Sequence, residues 1–116
     1  MRAPAAAAFA LLAWSGIAGA GEIVIEVPGA EVSGETVSYD CAAAALQVRY
    51  VNAGDVSLAV FEADGETVVA VAVVAASGVR YAGGRHVWWT KGDEASLYDA
   101  MRGEGAEPIL ECRAAS

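Results

Sequence analysis

The sequence predicts an all-β domain, a single antiparallel meander that closes into a small barrel. Two observations carry this expectation: short segments alternate apolar with polar residues from Glu22 onward, and Gly-bearing turn signals separate candidate strands about every ten residues. Closure is the usual way for such a meander to cover its edges. A length of 116 residues bounds the chain at one domain.

Met1 to Ala20 stand apart from that domain. The α-amino group and Arg2 precede an apolar run from Ala5 to Trp14, and Ala18-Gly19-Ala20 follows. This is the layout of a secretory signal peptide, with cleavage expected after Ala20. A membrane span needs about 20 apolar residues, and this run breaks at Ser15-Gly16. The first cysteine is Cys41, so the lipid-modified cysteine of a lipoprotein is not expected near the cut. Residues 21–116 should then be an exported, soluble domain without a stable membrane anchor.

Within the domain, Glu22 to Val27 and Glu35 to Cys41 are the first candidate strands. Ala42 to Leu46 has helix propensity, but it leads straight into an alternating segment and reads as a turn or strand entry. Leu46-Gln47-Val48-Arg49-Tyr50 would place Leu46, Val48 and Tyr50 on one face. Asn52-Ala53-Gly54-Asp55 separates it from Val56 to Phe61, and Asp64-Gly65 separates that run from Thr67 to Val74. Gly83-Gly84 divides Val79 to Ala82 from His86 to Thr90. Ala95 to Tyr98 and Pro108 to Arg113 complete the set.

Charge and cysteine content narrow the function. Fifteen acidic against seven basic residues give a net charge of −8, and Lys91 is the sole lysine. Nucleic acid is excluded as a partner, because phosphate contacts need clustered basic residues. A basic protein is the natural partner, since opposite charge speeds encounter. Cys41 and Cys112 are expected to pair in the exported chain. Closing that loop is worth roughly 4 kcal/mol in unfolded-state entropy. One histidine and no zinc-site spacing leave no metal site, and no motif implies a cofactor.

Catalysis finds little support. His86, the only histidine, would have to be the base of any triad, yet it sits on a candidate strand where an exposed structural role is expected. Asp93 and Glu94 are adjacent, so on a strand they would face opposite sides and could not flank one substrate bond. The concentrated feature is Ser77 to Ala95, which gathers Arg80, Tyr81, Arg85, Trp88, Trp89 and Lys91. Aromatic and Arg residues dominate binding interfaces. The alternative to a protein partner is a carbohydrate- or peptidoglycan-binding module in which Trp88, Trp89 or Tyr81 stacks on sugar rings. Of Trp88 and Trp89, one should be buried and the other outward or at a rim, and the sequence does not say which.

Ser77-Gly78-Val79-Arg80-Tyr81 followed by Trp89-Thr90-Lys91-Gly92-Asp93-Glu94-Ala95-Ser96-Leu97 resembles the paired motif of the bacterial inhibitors of c-type lysozyme. Tyr39-Asp40-Cys41, Val48-Arg49-Tyr50-Val51-Asn52 and Cys112-Arg113 also fit that family, so the resemblance runs from about residue 39 to 113. Ala42 to Ala45 departs from it, where members commonly carry polar residues or glycine. The resemblance implies a barrel of about eight strands and a non-enzymatic role, with a loop that enters the active-site cleft of a basic c-type lysozyme. It further implies that Ser77 and Lys91 meet the two catalytic carboxyl groups, that Tyr81 and Thr90 shape the loop, and that Gly78 and Gly92 belong to the binding motif. The soluble periplasmic branch of the family is implied by the position of Cys41.

Overall fold

The computed structural model describes residues 21–115; the expected signal peptide lies outside the described residues. Eight strands follow one another: β1 (Val32–Cys41), β2 (Ala44–Ala53), β3 (Val56–Ala63), β4 (Glu66–Val73), β5 (Val79–Gly83), β6 (His86–Lys91), β7 (Glu94–Asp99) and β8 (Leu110–Ala114). Each pairs with its sequence neighbours, and β8 returns to β1 to close the barrel. All ladders are antiparallel. The all-β barrel expected from the alternating segments is therefore the architecture found.

Turn chemistry sets the registers. Asp64 and Gly65 both take positive φ, at 54° and 77°, the combination whose twist matches the flanking strands of a two-residue hairpin. Ala42 and Ala43 form the β1–β2 turn, and Ala44 already pairs with Cys41, so the alanine run divides between turn and strand. The β5–β6 turn lies one residue later than expected, at Gly84-Arg85, with Gly83 paired to His86. A side chain at position 83 would meet the Val69 carbonyl oxygen at 2.6 Å and Ala70 Cα at 2.9 Å, so glycine lets β5 lie close against β4.

Trp88 fills the barrel. Its indole is fully buried, edge-on to Tyr39 at 5.1 Å and tilted against Phe61 at 5.6 Å. Its N–H donates to the Tyr50 hydroxyl at 2.9 Å, and that oxygen lies 2.6 Å from the Tyr39 hydroxyl. A buried indole needs such a partner, because an unsatisfied N–H in this setting costs about 1–3 kcal/mol. Burial pushes the pKa of Tyr39, Tyr50 and Tyr81 above the ordinary 10.0, which keeps the core uncharged.

The closing seam carries the disulfide expected from the cysteine count. Cys41 and Cys112 are directly opposed in the β1–β8 ladder and are bonded, with Cα atoms 4.1 Å apart. Beside it, Arg113 and Glu94 form an exposed ion pair at 2.8 Å.

Two expectations are corrected. Glu22 to Val27 is not a strand: it pairs with nothing described, and Ile23, Val24 and Ile25 are exposed. Strand propensity describes a fit to a pleated surface, and a strand also needs a ladder partner; the barrel closes through β8 without this segment. His86 is buried, at 5% exposure, because it shares the inward face of β6 with Trp88.

Candidate functional site

Ser77 and Gly78 end the connection between β4 and β5, whereas Lys91 ends β6. Because Val79 pairs with Thr90, the antiparallel register runs Gly78 past Thr90 and Lys91. The fit is tight. A Cβ on Gly78 would meet the Thr90 carbonyl oxygen, with Lys91 Cγ at 2.7 Å and Trp89 Nε1 at 3.0 Å. Gly78 also has φ +67°, a left-handed conformation that a side chain disfavours. Two independent reasons thus require glycine there.

Trp89 holds the assembly from outside the barrel. Its indole N–H donates to the Ser77 carbonyl oxygen at 2.8 Å, which leaves the Ser77 hydroxyl in the exposed bend. Lys91 Nζ lies 4.4 Å from the centre of the same indole, and Arg80 Cζ lies 5.0 Å from it. Each contact is within the range of a cation–π attraction. Among the described residues Lys91 makes no ion pair; the pairs formed there are Arg85–Asp99 and Arg113–Glu94. Beyond Lys91, Gly92 opens the β6–β7 turn with φ +61°, and Lys91 pairs with Glu94 to close it. The turn is anchored by β8, whose Ala114 N–H donates to the Asp93 carbonyl oxygen at 2.7 Å.

Of the six motif residues, Ser77, Gly78, Thr90, Lys91 and Gly92 lie at one end of β5 and β6. Tyr81 does not join them. It is buried and points into the barrel, its ring 5.6 Å from that of Tyr50, so any support it gives the loop passes through the core. Trp88 is the inward tryptophan and Trp89 the outward one. Of the three rings named for sugar stacking, Trp88 and Tyr81 are buried, which leaves Trp89, with Arg80 and Lys91 beside its ring. His86 is likewise enclosed. Among the described residues no three His, Cys, Asp or Glu side chains converge as a metal site would require.

Arg80 belongs to the cluster legible in the sequence, but its contacts are not legible there. Its Nε is buried and has no hydrogen-bond partner among the described residues. With Trp89, Tyr98 and Glu104 it lines an open groove of about 540 Å³ beside the motif. Its cross-strand pairing with Trp89 follows from the β5–β6 register and needs the turn to be placed to the residue. Chemically, this end of the barrel presents one ammonium and one hydroxyl from a backbone already held in place, a combination suited to carboxylate acceptors.

The family model described as membrane-bound lysozyme-inhibitor of c-type lysozyme matches residues 39–105, which include both halves of the motif. The chain belongs to this lysozyme-inhibitor family. A relative from Cupriavidus necator, named membrane-bound lysozyme inhibitor of C-type lysozyme, is 52% identical over 80 residues, covering 67% of this chain and 64% of its own length. The Pseudomonas aeruginosa protein of the same name is 43% identical over 92 residues, 77% of this chain and 72% of that one. The match to the Cupriavidus relative thus spans slightly less than two thirds of that inhibitor. The crystal structure of Pseudomonas aeruginosa MliC in complex with hen egg white lysozyme superposes with a TM-score of 0.68 at 36% identity, over 84% of this chain and 99% of that one.

Proposed function

We propose that this chain inhibits a c-type lysozyme by lodging the Ser77 and Lys91 end of its barrel in the enzyme's active-site cleft. The Lys91 ammonium and the Ser77 hydroxyl meet the two catalytic carboxyl groups and block access of the substrate. The observation that carries this reading is the clamp itself: the main chain of Ser77 and the ammonium of Lys91, on separate turns, are tied to one indole. Membership of the family supports it, as does the likeness to a relative solved with hen egg white lysozyme. The chain forms no covalent intermediate in this role; it is a plug.

Charge works at two ranges. The net charge of −8 draws a basic enzyme in from a distance, while the sole lysine is directed at its acidic cleft. The pre-formed backbone lowers the ordering cost of association. Thr90 contributes the carbonyl against which Gly78 packs, and Tyr81 stiffens β5 from within.

We further propose that the domain acts in the periplasm after removal of residues 1–20. Its relatives are named membrane-bound, but both described cysteines are consumed in the disulfide, so neither thiol is free to carry a lipid. N-terminal sequencing of the exported protein is expected to begin at Gly21.

The inhibition is tested by lysis of a sensitive cell suspension with hen egg white lysozyme, with and without residues 21–116. Stoichiometric protection is expected. Lys91→Ala should weaken binding by about 2 kcal/mol, roughly 30-fold, as expected for a desolvated charged contact. Ser77→Ala should cost about 1 kcal/mol. Full potency of the folded double variant would overturn the assignment.

A further inference from the structure

We infer that Trp89 is a positioning residue of the inhibitory end: its ring edge fixes Ser77 and its face fixes Lys91. This inference rests on the function proposed above and goes beyond it, because Trp89 need not touch the lysozyme at all. Two contacts and one steric limit converge on the one side chain. The N–H bonds the Ser77 carbonyl at 2.8 Å, Lys91 Nζ sits 4.4 Å over the ring, and Nε1 lies 3.0 Å from where a Gly78 side chain would begin. Serine and lysine belong to different turns, so without a shared support their separation would vary with each turn's own motion. A lysine ammonium on a four-carbon stem has the most freedom to lose on binding. Resting it on the indole removes part of that freedom beforehand.

Arg80 steadies the support. It faces Trp89 across the β5–β6 ladder and places its guanidinium 5.0 Å from the ring centre, and Tyr98 packs nearby at 6.4 Å. The indole is therefore held by its neighbours before it holds anything else.

A double-mutant cycle between Trp89 and Lys91 tests this, with hen egg white lysozyme as the probe and residues 21–116 as the protein. Trp89→Leu is expected to weaken inhibition about tenfold or more. In that background Lys91→Ala should cost only a few-fold, against roughly 30-fold in the unmodified chain. Trp89→Phe, which keeps a ring face and loses the N–H, should fall between. Equal Lys91→Ala effects in both backgrounds, with folding verified by the thermal transition, would overturn the inference.

A second measurement does not depend on inhibition. In proton NMR the Lys91 side-chain methylene signals should be shifted upfield by the indole and return to ordinary positions in Trp89→Leu. If the unmodified protein protects no lysozyme substrate, the proposed function fails while this spectral arm still decides whether the clamp exists. Unshifted Lys91 signals in the unmodified chain would remove the clamp even if inhibition is strong. Should Trp89→Leu not fold, the Trp89→Phe cycle and the spectrum of the unmodified chain decide between the two outcomes.

Discussion

Trp88 and Trp89 are neighbours in sequence and opposites in use. Trp88 is fully buried and gives its N–H to the Tyr50 hydroxyl; Trp89 is half-exposed and gives its N–H to the Ser77 carbonyl. Inside, the ring is packed on by Tyr39 and Phe61. Outside, it is approached by Arg80 and Lys91. The same side chain thus serves cohesion on one face of a strand and presentation on the other, and the period of two along β6 is all that separates the roles.

Breaking the inner half should have the largest effect. Trp88→Ala removes the largest fully buried side chain among the described residues and takes from the Tyr50 hydroxyl one of its two partners, leaving only Tyr39, so unfolding in denaturant should show a loss of about 3–5 kcal/mol. Against a typical total of about 5–15 kcal/mol, inhibition would then fall through loss of fold. Replacing Cys41 and Cys112 together by Ser should lower stability by up to roughly 4 kcal/mol. The free-thiol count of the unmodified oxidised protein should be zero.

The outer half breaks differently. Gly78→Ala forces a side chain into a left-handed backbone against Thr90 and Lys91, at a cost of about 1–3 kcal/mol. Its thermal transition should drop modestly, while lysozyme inhibition should drop further, because the displaced atoms are those that present Ser77 and Lys91. Equal losses in stability and inhibition would show that the loop does no more than fold.

The smallest effect sharpens the comparison through pH. Burial holds the Tyr39, Tyr50 and Tyr81 hydroxyls above the ordinary 10.0, so the folded state binds their protons more tightly than the unfolded chain. Their contribution is complete below pH 10 and is lost as pH rises through the folded values. Stability curves should therefore be insensitive to these groups at neutral pH and decline above pH 10. Tyr50→Phe should flatten the alkaline decline.

Most of the barrel could be read from alternation and turn residues, since both are local. Asp64-Gly65 announces its hairpin, and Leu46, Val48 and Tyr50 announce their shared face. What stayed hidden depends on parity and partners. With two adjacent tryptophans, hydrophobicity alone could not say which faces inward, and that one choice also decides the burial of His86. Glu22 to Val27 looked like a strand because propensity is visible in sequence and a missing ladder partner is not. At the site, the motif residues were visible through family likeness, whereas the stacking of Arg80 and Lys91 on Trp89 required a register exact to one residue.

The disulfide has a consequence for damage as well as for stability. Cys41 and Cys112 are 71 residues apart, so the bond turns β2 to β7 and every turn between them into one covalent ring. Exposed turns are where proteases cut, and the bend at Ser77 is among the exposed ones. A single cut there opens the ring without releasing a fragment: the two pieces stay joined through the seam, and the Trp89 hydrogen bond to Ser77 keeps the new end beside Lys91. A nicked molecule can therefore persist as one particle where proteases are present.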